Sequence, residues 1–138
     1  MTVGLVIVSH SQRLAEGVAE LAGEMTHGAV KIIPAGGADG GGLGESFARV
    51  RQALDAADSP DGVLILVDLG GAALISTMAI EDLPEERRAH VRLSGAPLVE
   101  GAVIAAVESS IGSNLERVVV AASEAMSMDK GVASQAGG

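Results

Sequence analysis

Two short apolar runs constrain the fold more than any other feature of the chain: Val3–Ser9 (VGLVIVS) and Gly62–Asp68 (GVLILVD). Both are rich in β-branched residues and almost free of polar alternation. They read as strands buried on both faces, the kind found in parallel sheets. Ala29–Pro34 (AVKIIP) reads as a further strand, placed at a sheet edge by Lys31 and Pro34, and Val91–Ser94 as a short fourth. Helical spacing fills the gaps. From Arg13 onward Leu14, Val18, Leu21 and Met25 share a stripe, with Gly28 as the stop, and the next helix carries Leu43, Phe47, Val50 and Leu54. A third helical stretch runs from Gly70 to Leu83 before Pro84, and Leu98–Ile111 follows Pro97. A last helix is capped by Asn114, with Leu115, Val118, Val119 and Ala122 inward. Alternating strands and helices predict an α/β, doubly wound three-layer sandwich on a mainly parallel sheet of order 2-1-3-4, built by right-handed crossovers. Residues 1–128 are expected to form one domain. Residues 129–138, poor in anything to bury, are expected to be a flexible tail or the start of a linker.

Charge and composition exclude several functions. Nine Lys and Arg stand against 18 Asp and Glu, a net charge of −9 that would repel a phosphate backbone. The single aromatic residue, Phe47, leaves nothing on which to stack bases, so nucleic acid is not an expected partner. No cysteine is present, which removes disulfides, thiol chemistry and thiolate metal sites and fits a reducing compartment. The N-terminus lacks a basic signal-peptide region and no apolar run is long enough to span a membrane, so the expectation is a cytoplasmic domain without membrane contact.

In a sheet of order 2-1-3-4 the chain reverses between strands one and three, and ligands bind beyond the carboxyl ends of the strands at that reversal. Ser9-His10-Ser11 and Asp68-Leu69-Gly70-Gly71 end those two strands, and Ala35-Gly36-Gly37 ends the second. A neutral imidazole there is a nucleophile near neutral pH, and a carboxylate on the neighbouring strand would fix its tautomer. His10 and Asp68 have the positions for that pairing. The lysine-poor, glycine-rich loops suggest phosphorus as the electrophile, held by backbone N–H groups and helix N-termini rather than by cations. The same residues also have plain structural readings: a histidine ending a strand, an aspartate capping a helix, glycines serving tight turns. The Gly36–Gly44 loop fits neither a Walker loop nor a dinucleotide fingerprint. His27 reads as a helix-terminal side chain and His90, among Arg87, Arg88 and Arg92, as part of a solvated face. Met25, Met78, Met126 and Met128 read as filler rather than thioether ligands.

The opening Gly4–Ser11 (GLVIVSHS), with Leu14 and Gly17, resembles the mannose-type EIIA family of the bacterial phosphotransferase system. Asp68–Ala72 (DLGGA) and Ala96–Ala102 (APLVEGA) are similar to its DhaM branch, the phosphotransferase subunits of phosphoenolpyruvate-dependent dihydroxyacetone kinases. The resemblance runs from about Thr2 to Met126. It implies that His10 accepts a phosphoryl group from HPr and passes it to ADP on DhaL, which supplies DhaK with ATP. It implies no metal and no cofactor on this chain, the nucleotide residing on DhaL. It also implies a homodimer, for which Val99, Val103 and Val107 are the expected contact. Asp68 is expected to orient His10, while Ser9, Ser11, Gly37, Gly44, Ser46, Gly70 and Gly71 are candidate phosphoryl-binding residues.

One position departs from the family loop, which usually ends Gly-Thr-Ser or Gly-Thr where this chain has Gly44-Glu45-Ser46. Glu45 either points inward, where it would repel a phosphoryl group, or faces solvent in a first helical turn. Two other functions stay open: an EIIA component feeding a sugar permease, and a receiver-like module phosphorylated on Asp68. The receiver would need an acidic pair after the first strand, where Ser9-His10 stands.

Overall fold

The computed structural model describes residues 2–132. Four parallel strands, β1 (Gly4–Ser9), β2 (Ile32–Gly36), β3 (Val63–Val67) and β4 (Val91–Ser94), form one sheet in the expected order β2-β1-β3-β4. Helices α1 (Gln12–Met25), α2 (Phe47–Ala57), α3 (Gly70–Glu81), α4 (Glu85–Arg88), α5 (Leu98–Ser110) and α6 (Leu115–Ser123) connect and cover it. β1, buried throughout, and β3, buried from Val63 to Leu66, split their side chains by the two-residue pleat. Leu5, Ile7, Leu64 and Leu66 pack under α1, α5 and α6, whereas Val6, Val8, Val63 and Ile65 pack under α2 and α3. The sheet is therefore the middle layer between two cores. Among the described residues, no helix is long and apolar enough to cross a membrane.

The second strand lies further along than the expected Ala29–Pro34. Ala35 and Gly36, which carry no strand signal of their own, pair with Val8 and Ser9. Pro34 is tolerated because β2 is an edge with β1 as its one sheet neighbour. The helical stripes also differ from expectation. In α1 the buried residues are Ala15, Val18 and Ala22, while Leu14, Leu21 and Met25 are exposed. In α2 they are Val50, Ala53, Leu54 and Ala57; Leu43 is 80 % exposed in the preceding loop, and Phe47 sits at the surface. Both helices turn alanine toward the sheet, and a Cβ added at Gly36 would meet the Ser11 carbonyl oxygen at 2.5 Å. Layers that approach this closely accept small side chains and displace large ones outward.

Ser11, Ser46 and Asn114 cap α1, α2 and α6, their side-chain oxygens accepting from the amides of Leu14 (3.2 Å), Arg49 (3.1 Å) and Arg117 (2.9 Å). Of the expected tail 129–138, residues 133–138 lie outside the described residues. Within the described part, Lys130 pairs with Glu100 of α5.

Candidate active site at the sheet reversal

His10 leaves the carboxyl end of β1, and Asp68 directly follows β3, its strand neighbour. Adjacent parallel strands bring the two side chains together. His10 Nδ1 lies 3.1 Å from Asp68 Oδ1, which also accepts the Leu69 amide at 2.7 Å. Oδ2 accepts the Ser9 hydroxyl at 2.8 Å and the His10 amide at 3.0 Å. The carboxylate has about four lone-pair sites, and these four donors fill them. Burial pushes the Asp68 carboxyl up, but donation from the His10 amide, the Ser9 hydroxyl, the imidazole and the Leu69 amide outweighs it and holds the group below its ordinary value. An ionised Asp68 requires hydrogen on Nδ1, so Nε2 is the ring nitrogen that can present a lone pair.

Nε2 points to the opposite side, where Glu45 Oε1 stands at 3.1 Å. Glu45 is thus turned inward. It precedes α2 rather than lying in its first turn, because Ser46 is the cap. With a carboxylate oxygen against each nitrogen, this arrangement favours the ring that carries two N–H groups. The hydrogen bond to Asp68 is the main cause that raises the His10 pKa; the Asp68 charge and Glu45 add to it, against some loss by burial. Gly71 closes the other side of Nε2: a Cβ there would stand 3.0 Å from Nε2 and would collide with Glu45 Oε1.

The remaining candidate residues divide into two groups. The amides of Gly70 and Gly71 open α3, where the helix dipole favours an anion, and neither donates to an acceptor among the described residues. The amides of Gly37 and Gly44 are already engaged, donating to the carbonyls of Ser9 (3.2 Å) and His10 (2.9 Å). These glycines therefore brace the exit of β1 rather than cradle an anion. Gly44 makes its bond at φ 143°, a conformation that side chains disfavour. The Ser46 hydroxyl is likewise not aimed at the imidazole; it caps α2 and bonds Asp39. Ser9 is buried and supports Asp68, while its oxygen accepts the Ser11 amide at 3.0 Å. Ser11 is the α1 cap. Arg49, which sequence reasoning missed, ties the Gly36 carbonyl (2.7 Å) and Gln12 (3.2 Å) together beneath the loop. Its signal was only its place one turn after the Ser46 cap. Among the described residues, no group of three or more His, Asp or Glu is arranged to hold a metal ion.

A histidine at the reversal of a doubly wound parallel sheet, with Nδ1 held by the carboxylate that ends the neighbouring strand, is a site built to present its other nitrogen, and it defines an α/β domain of the phosphotransferase IIA type. Residues 4–119 match the family described as PTS system fructose IIA component, EIIA-man. The phosphoryl donor subunit DhaM of the PEP-dependent dihydroxyacetone kinase of Escherichia coli K12 is 41 % identical over 127 residues, covering 90 % of this chain and 27 % of that protein. DhaM of the PEP-dependent dihydroxyacetone kinase 2 of Listeria innocua is 34 % identical, covering 85 % of this chain and 94 % of its own length. The crystal structure of a protein of unknown function, EF1359, superposes with a TM-score of 0.82 at 33 % identity, covering 95 % of this chain and 98 % of its own. The chain belongs to the EIIA-man family, in the branch formed by the DhaM subunits. It spans 27 % of the length of the first curated relatives it matches.

Proposed function

We propose that this chain is the phosphoryl carrier of a phosphoenolpyruvate-dependent dihydroxyacetone kinase system, acting through a phosphohistidine at His10. One observation carries the reading: an imidazole whose Nδ1 is held by a fully engaged Asp68 while Nε2, beside Gly71 at the start of α3, meets only the Glu45 side chain. In the first transfer the Nε2 lone pair attacks the phosphorus of phosphorylated HPr. The donor's P–N bond breaks, and its imidazole leaves with that electron pair. In the second, a β-phosphate oxygen of ADP on DhaL attacks, Nε2 recovers its pair, and the ATP formed serves phosphorylation of dihydroxyacetone on DhaK. Asp68 supports the positive charge that grows on the ring during attack, and the Gly70 and Gly71 amides face the transferred oxygens. No cofactor resides on the chain in this scheme; the nucleotide stays with DhaL.

The names of the relatives support this acceptor over a sugar permease. Against a receiver-like role, both Asp68 oxygens are saturated with donors, which leaves neither as a nucleophile. The acidic surface suits a basic donor face and would chiefly speed encounter. We place the chain in the cytoplasm as a homodimer through the outer face of α5, where Val99 and Val107 are exposed and Val103 is partly so. Reconstitution with phosphoenolpyruvate, enzyme I, HPr, DhaK and DhaL tests the proposal. Dihydroxyacetone phosphate forms with the wild-type chain and not with His10→Ala; equal product from both contradicts it.

A further inference from the structure

The Nε2 side of His10 is occupied by a residue that phosphoryl transfer as derived above does not use. Glu45 Oε1 stands 3.1 Å from the nitrogen that must attack, in the space bounded by Gly71. Its backbone is fixed on both sides: the Gly44 amide bonds the His10 carbonyl, and Ser46 caps α2. Its side chain is 35 % exposed and makes no hydrogen bond other than the one to His10 among the described residues. The carboxylate is held to the ring by that single contact and needs only a change of side-chain rotamer to leave it.

We propose that Glu45 is a gate over the reactive nitrogen of His10. Closed, its carboxylate accepts the Nε2 hydrogen and fills the approach along which phosphorus must come. Open, it leaves Nε2 facing the Gly70 and Gly71 amides with its lone pair available. The gate selects among donors, because a small anionic phosphoryl compound meets a carboxylate at the entrance and is repelled by like charge. The charged groups facing the ring are Asp68 after β3 and Glu45 before α2; α3 contributes backbone at Gly70 and Gly71, and α1 begins with the uncharged Ser11 and Gln12. Removing Glu45 takes away one of the two carboxylates that favour the protonated ring.

This gate rests on His10 being the phosphoryl acceptor, and its test separates the two ideas. Phosphoramidate is the small donor: Nε2 forms the new N–P bond as the donor's P–N bond breaks and ammonia leaves with that pair. Near neutral pH, Glu45→Gln and Glu45→Ala are expected to phosphorylate His10 roughly two- to fivefold faster than wild type, the size of a partly exposed charge pair. The titration midpoint of the His10 ring, read by NMR, is expected to fall in both variants. Equal or slower phosphorylation in both variants, or an unmoved midpoint, overturns the gate. If neither phosphoramidate nor phosphorylated HPr labels His10 in any form of the chain, the carrier reading fails instead, and the midpoint alone decides whether Glu45 holds the Nε2 hydrogen.

Discussion

Asp68 and Glu45 each place a carboxylate oxygen 3.1 Å from one nitrogen of the same imidazole, but the surroundings of the two contacts are opposite. Asp68 sits at a strand end with its side chain 12 % exposed, and it accepts four hydrogen bonds from three residues. Glu45 sits on a glycine-rich loop with its side chain 35 % exposed and the ring as its one hydrogen-bond partner among the described residues. Distance alone would give them equal weight. Support separates them: Asp68 is held whether or not the ring is there, whereas a longer, exposed side chain regains rotamer freedom on letting go. One carboxylate is therefore a permanent orienter, and the other is a removable cover.

Removing the supported partner has the largest expected effect. Asp68→Asn keeps the shape but can donate toward Nδ1, which favours the wrong tautomer. Phosphorylation of His10 by HPr should then fall by about 10²- to 10⁴-fold, by analogy with the orienting aspartate of a catalytic triad. A rate in Asp68→Asn as high as that of wild type would erase the distinction.

Next comes the support itself. Ser9→Ala deletes the hydroxyl that donates to Asp68 and accepts from Ser11, and should cost about 2 kcal/mol in denaturant unfolding at neutral pH. The sign of its pH dependence follows from Asp68. A depressed carboxyl pKa contributes stability above the unfolded value that is lost as pH falls through the folded value. Ser9→Ala raises the folded value, so the acid limb of stability should move to higher pH; an unmoved limb would detach Ser9 from Asp68.

The smaller effect is on the covered side. Gly71→Ala sets a methyl 3.0 Å from Nε2, so that although the Glu45 carboxylate is displaced the approach to the nitrogen is filled by the methyl instead. Transfer into His10 should slow by about threefold to tenfold, roughly 1 kcal/mol in the barrier, with little change in unfolding. Unchanged transfer kinetics would mean that phosphorus does not approach past Gly71.

The same contrast explains what was legible in the sequence. The strand order followed from two continuous apolar runs and one edge strand, and it brought His10 to Asp68 without further information, because adjacent parallel strands leave their ends side by side. Features fixed by layer spacing were not legible. The leucines of the α1 stripe face outward, because the close approach of helix to sheet selects Ala15 and Ala22, and a hydropathy pattern ranks leucine above alanine. Glycines at 37 and 44 signalled backbone freedom but not the direction of their amides, which the carbonyls of Ser9 and His10 take up. Glu45 stood out as a departure from its family. Its orientation depended on whether the helix began before or after it, and helix starts are the least certain boundaries to read.

The most direct test is the site of phosphate attachment in the chain phosphorylated through HPr, read by ³¹P and ¹⁵N NMR on labelled histidine. A phosphoryl group on Nε2 of His10, with hydrogen retained on Nδ1, is the predicted result. Phosphate on Nδ1, or an acyl phosphate on Asp68, would contradict it.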